Sequence, residues 1–86
     1  MRMLKNVVMY TNSVYCAPCR TMKKRMEDEG LKVARVFDVM EQEGAVKATV
    51  NRIRSFPTFV NTVTHEVIPN ALSLQALIQF NKVSWE

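Results

Sequence analysis

At 86 residues the chain has room for one hydrophobic core, since domains typically hold ~100–150 residues. Its 48% hydrophobic and 23% charged residues, with only two Gly and three Pro, are ordinary for a globular domain and exclude a disordered or collagen-like chain. Twelve Lys and Arg against eight Asp and Glu give a net charge of +4, and no apolar run exceeds the four residues of Val7-Val8-Met9-Tyr10, far below the ~18–20 a membrane span needs. A single domain over residues 1–86 is expected, cytoplasmic and off the membrane.

Leu4 to Tyr10 is mostly apolar and rich in β-branched residues, and reads as a buried strand. Asn12-Ser13 interrupts it. From Pro18 to Glu29 the pattern is helical: Cys19, Met22 and Met26 fall on one stripe, with Arg20, Lys23, Lys24 and Glu27 largely off it. Gly30 stands where a C′ glycine ends a helix. Lys32 to Phe37 reads as a second strand, with Val33, Arg35 and Phe37 on one side and Ala34 and Val36 on the other. Asp38 precedes Glu41 by three residues, a capping pattern that opens a helix from about Met40 to Val50, with Ala45, Ala48 and Thr49 available for close packing.

Pro57 fits neither a helix interior nor a central strand. Thr58–Val63 and Glu66–Ile68 read as a hairpin about Thr64-His65. Ser73 suits the N-cap of a last helix whose face is traced by Leu74, Leu77, Ile78 and Asn81. The order β-α-β-α-β-β-α implies a right-handed parallel crossover followed by an antiparallel hairpin. The fold class is α/β: a four-stranded mixed sheet flanked by helices.

Cys16 and Cys19 are the only cysteines, placed where the first strand hands over to the first helix. A helix N-terminus presents unpaired N–H groups and a partial positive charge. Cys16 takes the N-cap place, so its sulfur can accept from the Cys19 amide. Both effects favour thiolate, the nucleophilic form, and nearby Arg20, Lys23 and Lys24 add to the field. Pro18 falls in the first turn, where its missing N–H costs nothing. Cys19 lies on the apolar stripe and is expected to be buried, suited to resolving a mixed disulfide rather than starting one. Dithiol–disulfide exchange is the favoured reading. A structural disulfide would close too small a loop to matter, and a metal or Fe–S site would have to be shared between two chains.

Tyr15-Cys16-Ala17-Pro18-Cys19-Arg20 resembles the W-C-G-P-C-K active site of thioredoxins, and Ile53-Arg54-Ser55-Phe56-Pro57-Thr58-Phe59 resembles their I-R-x-x-P-T segment around a cis-proline. Asn70-Ala71-Leu72-Ser73 is similar to the G-A-L-S before the family's last helix. The resemblance implies the thioredoxin fold and a protein disulfide oxidoreductase, an electron carrier that needs no cofactor beyond a redox-active Cys16–Cys19 disulfide. Cys16 and Cys19 would be the catalytic residues, with Tyr15, Ala17, Pro18, Phe56 and Pro57 binding substrate. The implied partners are a thioredoxin reductase, favoured over glutathione, and disulfide-containing clients such as ribonucleotide reductase, served by a monomer.

Two departures stand out. Thioredoxins keep a buried Asp six residues before the first Cys; this chain has Tyr10, so the proton acceptor for Cys19 is missing or supplied from elsewhere, and Asp38, a candidate for it, is better placed as a helix cap. The opening Val7-Val8-Met9-Tyr10-Thr11 is similar to glutaredoxins, which makes a glutathione-dependent glutaredoxin the alternative, yet the acidic residue that would hold the glutathione ammonium is missing near Asn70. An Fe–S-binding dimer using Cys16 is the alternative of another class. His65 reads as a solvated turn residue, the Met residues as core filler, and the cations of the first helix as a solvated face and not a nucleic-acid site.

Overall fold

A computed structural model describes residues 2–69 of the chain. The expected final helix, the Ser73 cap and the segment from Asn70 onward lie outside the described residues. The elements are β1 (Arg2–Thr11), α1 (Ala17–Asp28), β2 (Leu31–Asp38), α2 (Gln42–Val50), β3 (Thr58–Asn61) and β4 (Val67–Pro69). They form one mixed sheet in the order β2-β1-β3-β4. β1 and β2 are parallel, and β1–β3 and β3–β4 are antiparallel. The parallel pair follows from the helix between its strands, which returns the chain to the same end of the sheet.

β1 is longer than the apolar run because Arg2 and Met3 also pair with β2, and its register breaks between Leu4 and Val8. The break changes which face each residue serves. Leu4, Val7, Met9, Leu31, Val33 and Phe59 pack with Met22 and Met26 of α1 and with both cysteines. Val8, Tyr10, Phe37, Val60 and Ala48 of α2 form the other cluster. Val33 and Phe37 therefore lie in different cores, where simple alternation placed them, with Arg35, on one side. Among these residues Phe59, Val7 and Met9 are wholly buried.

α1 starts and ends one residue earlier than the periodicity suggested, and Gly30 stops it as expected, with φ 64° and its N–H donated to Glu27 O at 3.0 Å. That left-handed conformation is cheap only for glycine. α2 begins at Gln42, after the expected start at Met40, and its N-cap is Glu41, not Asp38. Gly44 and Ala48 are its buried positions, whereas Ala45 and Thr49 are exposed. The β3–β4 turn is wider than Thr64-His65. Asn61 Oδ1 accepts from Val63 N and Thr64 N, ending β3 at Asn61, and His65 is exposed with φ 64°.

Candidate functional site

The site lies at the C-terminal end of β1, where the chain turns into α1. Asn12 Oδ1 accepts from Val14 N and Tyr15 N, both at 3.0 Å, and folds the turn tightly after the strand. Asp38 Oδ1, at the matching end of β2, accepts from Ser13 N at 3.2 Å and Met40 N at 3.0 Å. The turn is thus fastened to the neighbouring strand. The Ser13 side chain first, then the Met40 amide, with smaller contributions from the Ser13 amide and the Lys23 charge, hold the Asp38 carboxyl below its ordinary pKa against a partial offset from burial. Asp38 serves the turn before the cysteines, not the helix α2 it was expected to cap.

This turn delivers Cys16 as the N-cap of α1, with extended φ −129° and ψ 91°. Its Sγ accepts from Cys19 N at 3.1 Å, the geometry expected from the spacing. Ala17 and Pro18 open the helix and are exposed. Cys16 and Cys19 are joined by a disulfide, with an S–S distance of 2.04 Å and a Cα–Cα distance of 5.2 Å. Cys19 is 1% exposed and Cys16 5%, so Cys16 is the more accessible of the two. Reducing the bond would leave the Cys16 sulfur at a helix start, facing an amide donor, with no acidic residue in the first turn of α1.

The connection from α2 to β3 forms the other side of the site. Arg52, with φ 57°, and Ile53 close α2 by donating to Thr49 O and Ala48 O. Ser55 O then accepts from Thr58 Oγ1 at 2.6 Å, and the intervening Phe56–Pro57 peptide is cis. Tyr10 pairs with Thr58 across the β1–β3 ladder, so Pro57 enters at the same end of β1 from which the cysteine turn leaves. Pro57 is buried, and half-buried Phe56 packs against both clusters, including the one that holds Cys16 and Cys19. Tyr15, by contrast, is 83% exposed and belongs to neither cluster.

Tyr10, at the family's Asp position, is buried on the sheet face opposite the cysteines. Its ring stacks on Phe37 with centroids 5.3 Å apart, and its hydroxyl accepts from Asn51 Nδ2 at 3.2 Å. Burial pushes its pKa up, partly offset by the Asn51 bond. On the cysteine side the terminal β1 residue is Thr11, which continues the Val7, Met9 alternation. Thr11 is 1% exposed, and its hydroxyl has no hydrogen-bond partner among the described residues. Sequence reasoning missed Asn12 and Thr11 as site neighbours and misassigned Asp38. An Asn directly after a strand and before a turn was the legible sign of the first. Among the described residues no group of three or more His, Cys, Asp or Glu side chains is arranged to hold a metal ion. Nor is any of their helices long and apolar enough to cross a membrane.

No protein-family profile matches this chain, and no curated protein matches it in sequence. Solved structures do. The thioredoxin-like protein BC3987 superposes with a TM-score of 0.60 at 24% identity, over 86% of this chain and 97% of that one. Thioredoxin O2 from Arabidopsis thaliana, in its oxidised state, superposes with a TM-score of 0.62 at 17% identity, over 88% of this chain and 74% of that one. At such identities the likeness is one of architecture: the chain adopts the thioredoxin-like fold, a mixed four-stranded sheet with a disulfide-bonded Cys-x-x-Cys at the start of its first helix.

Proposed function

We propose that the protein is a thiol–disulfide oxidoreductase, a dithiol electron carrier that reduces disulfides in protein clients. The observation that carries this is the Cys16–Cys19 disulfide at the start of α1, with Cys19 N donating to Cys16 Sγ and the Phe56–Pro57 segment alongside. In the reduced protein the helix start and the Cys19 amide lower the Cys16 pKa below that of a free thiol and favour the thiolate. The Cys16 thiolate attacks one sulfur of a client disulfide and forms a mixed disulfide. The departing client sulfur takes up a proton. Cys19, losing its proton, attacks Cys16 Sγ, and the second client sulfur leaves and is protonated in turn. The client gains two electrons and two protons, and the carrier is left with the Cys16–Cys19 disulfide. A reductase of the thioredoxin reductase kind resets it with two electrons. Exposed Tyr15, Ala17 and Pro18 and half-buried Phe56 provide the docking surface.

Insulin-disulfide reduction tests this reading. Cys16→Ser abolishes turnover, whereas Cys19→Ser accumulates mixed disulfides with clients. Faster alkylation of Cys19 than of Cys16 at neutral pH would reverse the two roles. NADPH-coupled turnover with bacterial thioredoxin reductase in one cuvette, and glutathione with glutathione reductase in another, decides the reductant. Turnover at least tenfold better with glutathione would make the protein a glutaredoxin in function.

A further inference from the structure

The charge of this small molecule is not spread evenly. The two segments that build the site, residues 12–25 and 51–60, hold six of the chain's 12 Lys and Arg and none of its eight Asp and Glu. Two of these cations are partly spent. Lys24 pairs with Asp28 at 2.7 Å, and Lys23 lies near enough to Asp38 to lower its pKa. Asp38 itself touches the cysteine turn, but its Oδ1 is occupied by the Ser13 and Met40 amides. Arg20, Arg52 and Arg54 are exposed and have no ion pair among the described residues. Arg20 follows Cys19 directly and donates its backbone N–H to Cys16 O, so it stands one helical turn from the reactive sulfur. Arg54 is two residues before Phe56, on the other segment of the site. Tyr15 at 83% and Val14 at 50% exposure offer apolar surface in the turn directly before Cys16.

We infer that the client segment recognised here is an acidic stretch of protein flanking a disulfide, with Arg20 and Arg54 meeting its carboxylates while Tyr15 and Phe56 contact its apolar residues. This rests on the oxidoreductase reading above and names its substrate class. Nucleic acid would satisfy the charge but has no disulfide to reduce. Unpaired guanidiniums on the rim of a partly apolar patch act chiefly on encounter rate and on rejection of the wrong partner, because like charges are excluded as they approach.

The test uses the reduced protein and three synthetic peptides, each closed by one disulfide and alike except for three flanking residues: Glu, Ser or Lys. Second-order rates of dithiol–disulfide exchange are followed by chromatography at low and high salt, with oxidised glutathione as a fourth substrate. The Glu peptide reacts at least tenfold faster than the Lys peptide at low salt. The gap narrows toward 1 M salt, where the screening length falls to about 3 Å. Arg20→Glu with Arg54→Glu shrinks the Glu-to-Lys rate ratio at least fivefold. The ratio is the proper readout, since any change in Cys16 thiolate fraction acts on both peptides equally. Equal rates for the Glu and Lys peptides, a ratio untouched by the double variant, or oxidised glutathione outpacing the Glu peptide would each overturn the inference and leave the exchange chemistry standing. No exchange with any of the four substrates would overturn the oxidoreductase reading itself.

Discussion

Thr11 and Asp38 sit at the ends of adjacent parallel strands, paired in register, and meet their polar needs in opposite ways. The Thr11 hydroxyl is buried without a partner among the described residues. Leaving such a group unsatisfied costs about 1–3 kcal/mol, whereas an apolar group of the same shape avoids that cost. Thr11→Val should therefore stabilise the oxidised protein by about 1 kcal/mol in urea denaturation; a loss of stability would mean that the hydroxyl is engaged. Asp38 is fully employed, and its lowered pKa makes its contribution depend on pH. A depressed carboxylate pKa adds stability that is present above the unfolded value of about 3.9 and is lost as pH falls through the lower native value. The stability gap between the parent protein and Asp38→Ala should be widest near neutral pH and narrow below about pH 4, and it should be modest because water screens the carboxylate. Neither role was legible beforehand. An Asp three residues before a Glu matches a capping box, and only the fold reveals that the amide of Ser13, 25 residues away in sequence, reaches it first.

Secondary structure was readable where side chains obey one period and one master. The α1 stripe of Cys19, Met22 and Met26 is buried as its spacing required, and Gly30 ends the helix as its lack of a Cβ allows. α2 was read less well because it is short and weakly patterned, with small residues rather than large ones at its contact. Gly44 is the position that decides its packing. A Cβ there would stand 2.0 Å from Asp38 O and 2.9 Å from Asp38 N. In an open helix, replacing Gly with Ala is favourable by about 1 kcal/mol. Here the added methyl must push α2 off the end of β2, so Gly44→Ala should destabilise by about 2 kcal/mol, read as a lower urea midpoint. The same displacement would disturb Asp38, whose carbonyl accepts from Glu41 N and whose carboxylate holds the cysteine turn, so slower disulfide exchange should accompany the stability loss.

At the scale of the molecule, the cysteine motif, the proline segment and the order of elements as far as β4 were all visible in the sequence, because each depends on local chemistry. What was not visible was the sorting of residues between the two faces of the sheet. The register break between Leu4 and Val8 brings Leu4 to the same face as Val7 and parts Val33 from Phe37, and that shift is a property of strand pairing rather than of any single residue. The sheet order has one more effect. Among the described residues β2 pairs on one side only, with β1, which leaves a flank of backbone donors and acceptors able to accept another strand. Lys32 and Arg35 stand exposed along it, and Arg35 is held in place over the Phe37 ring, 4.5 Å from its centroid, and by Glu43. Two approaching copies would bring these charges face to face, so the lysine and arginine act as a colloidal safeguard for a protein that must carry exposed apolar residues beside its sulfurs. Lys32→Val combined with Arg35→Val should shift sedimentation toward larger species than the parent protein shows at equal concentration, with no requirement for oxidation and no protection by a thiol reductant.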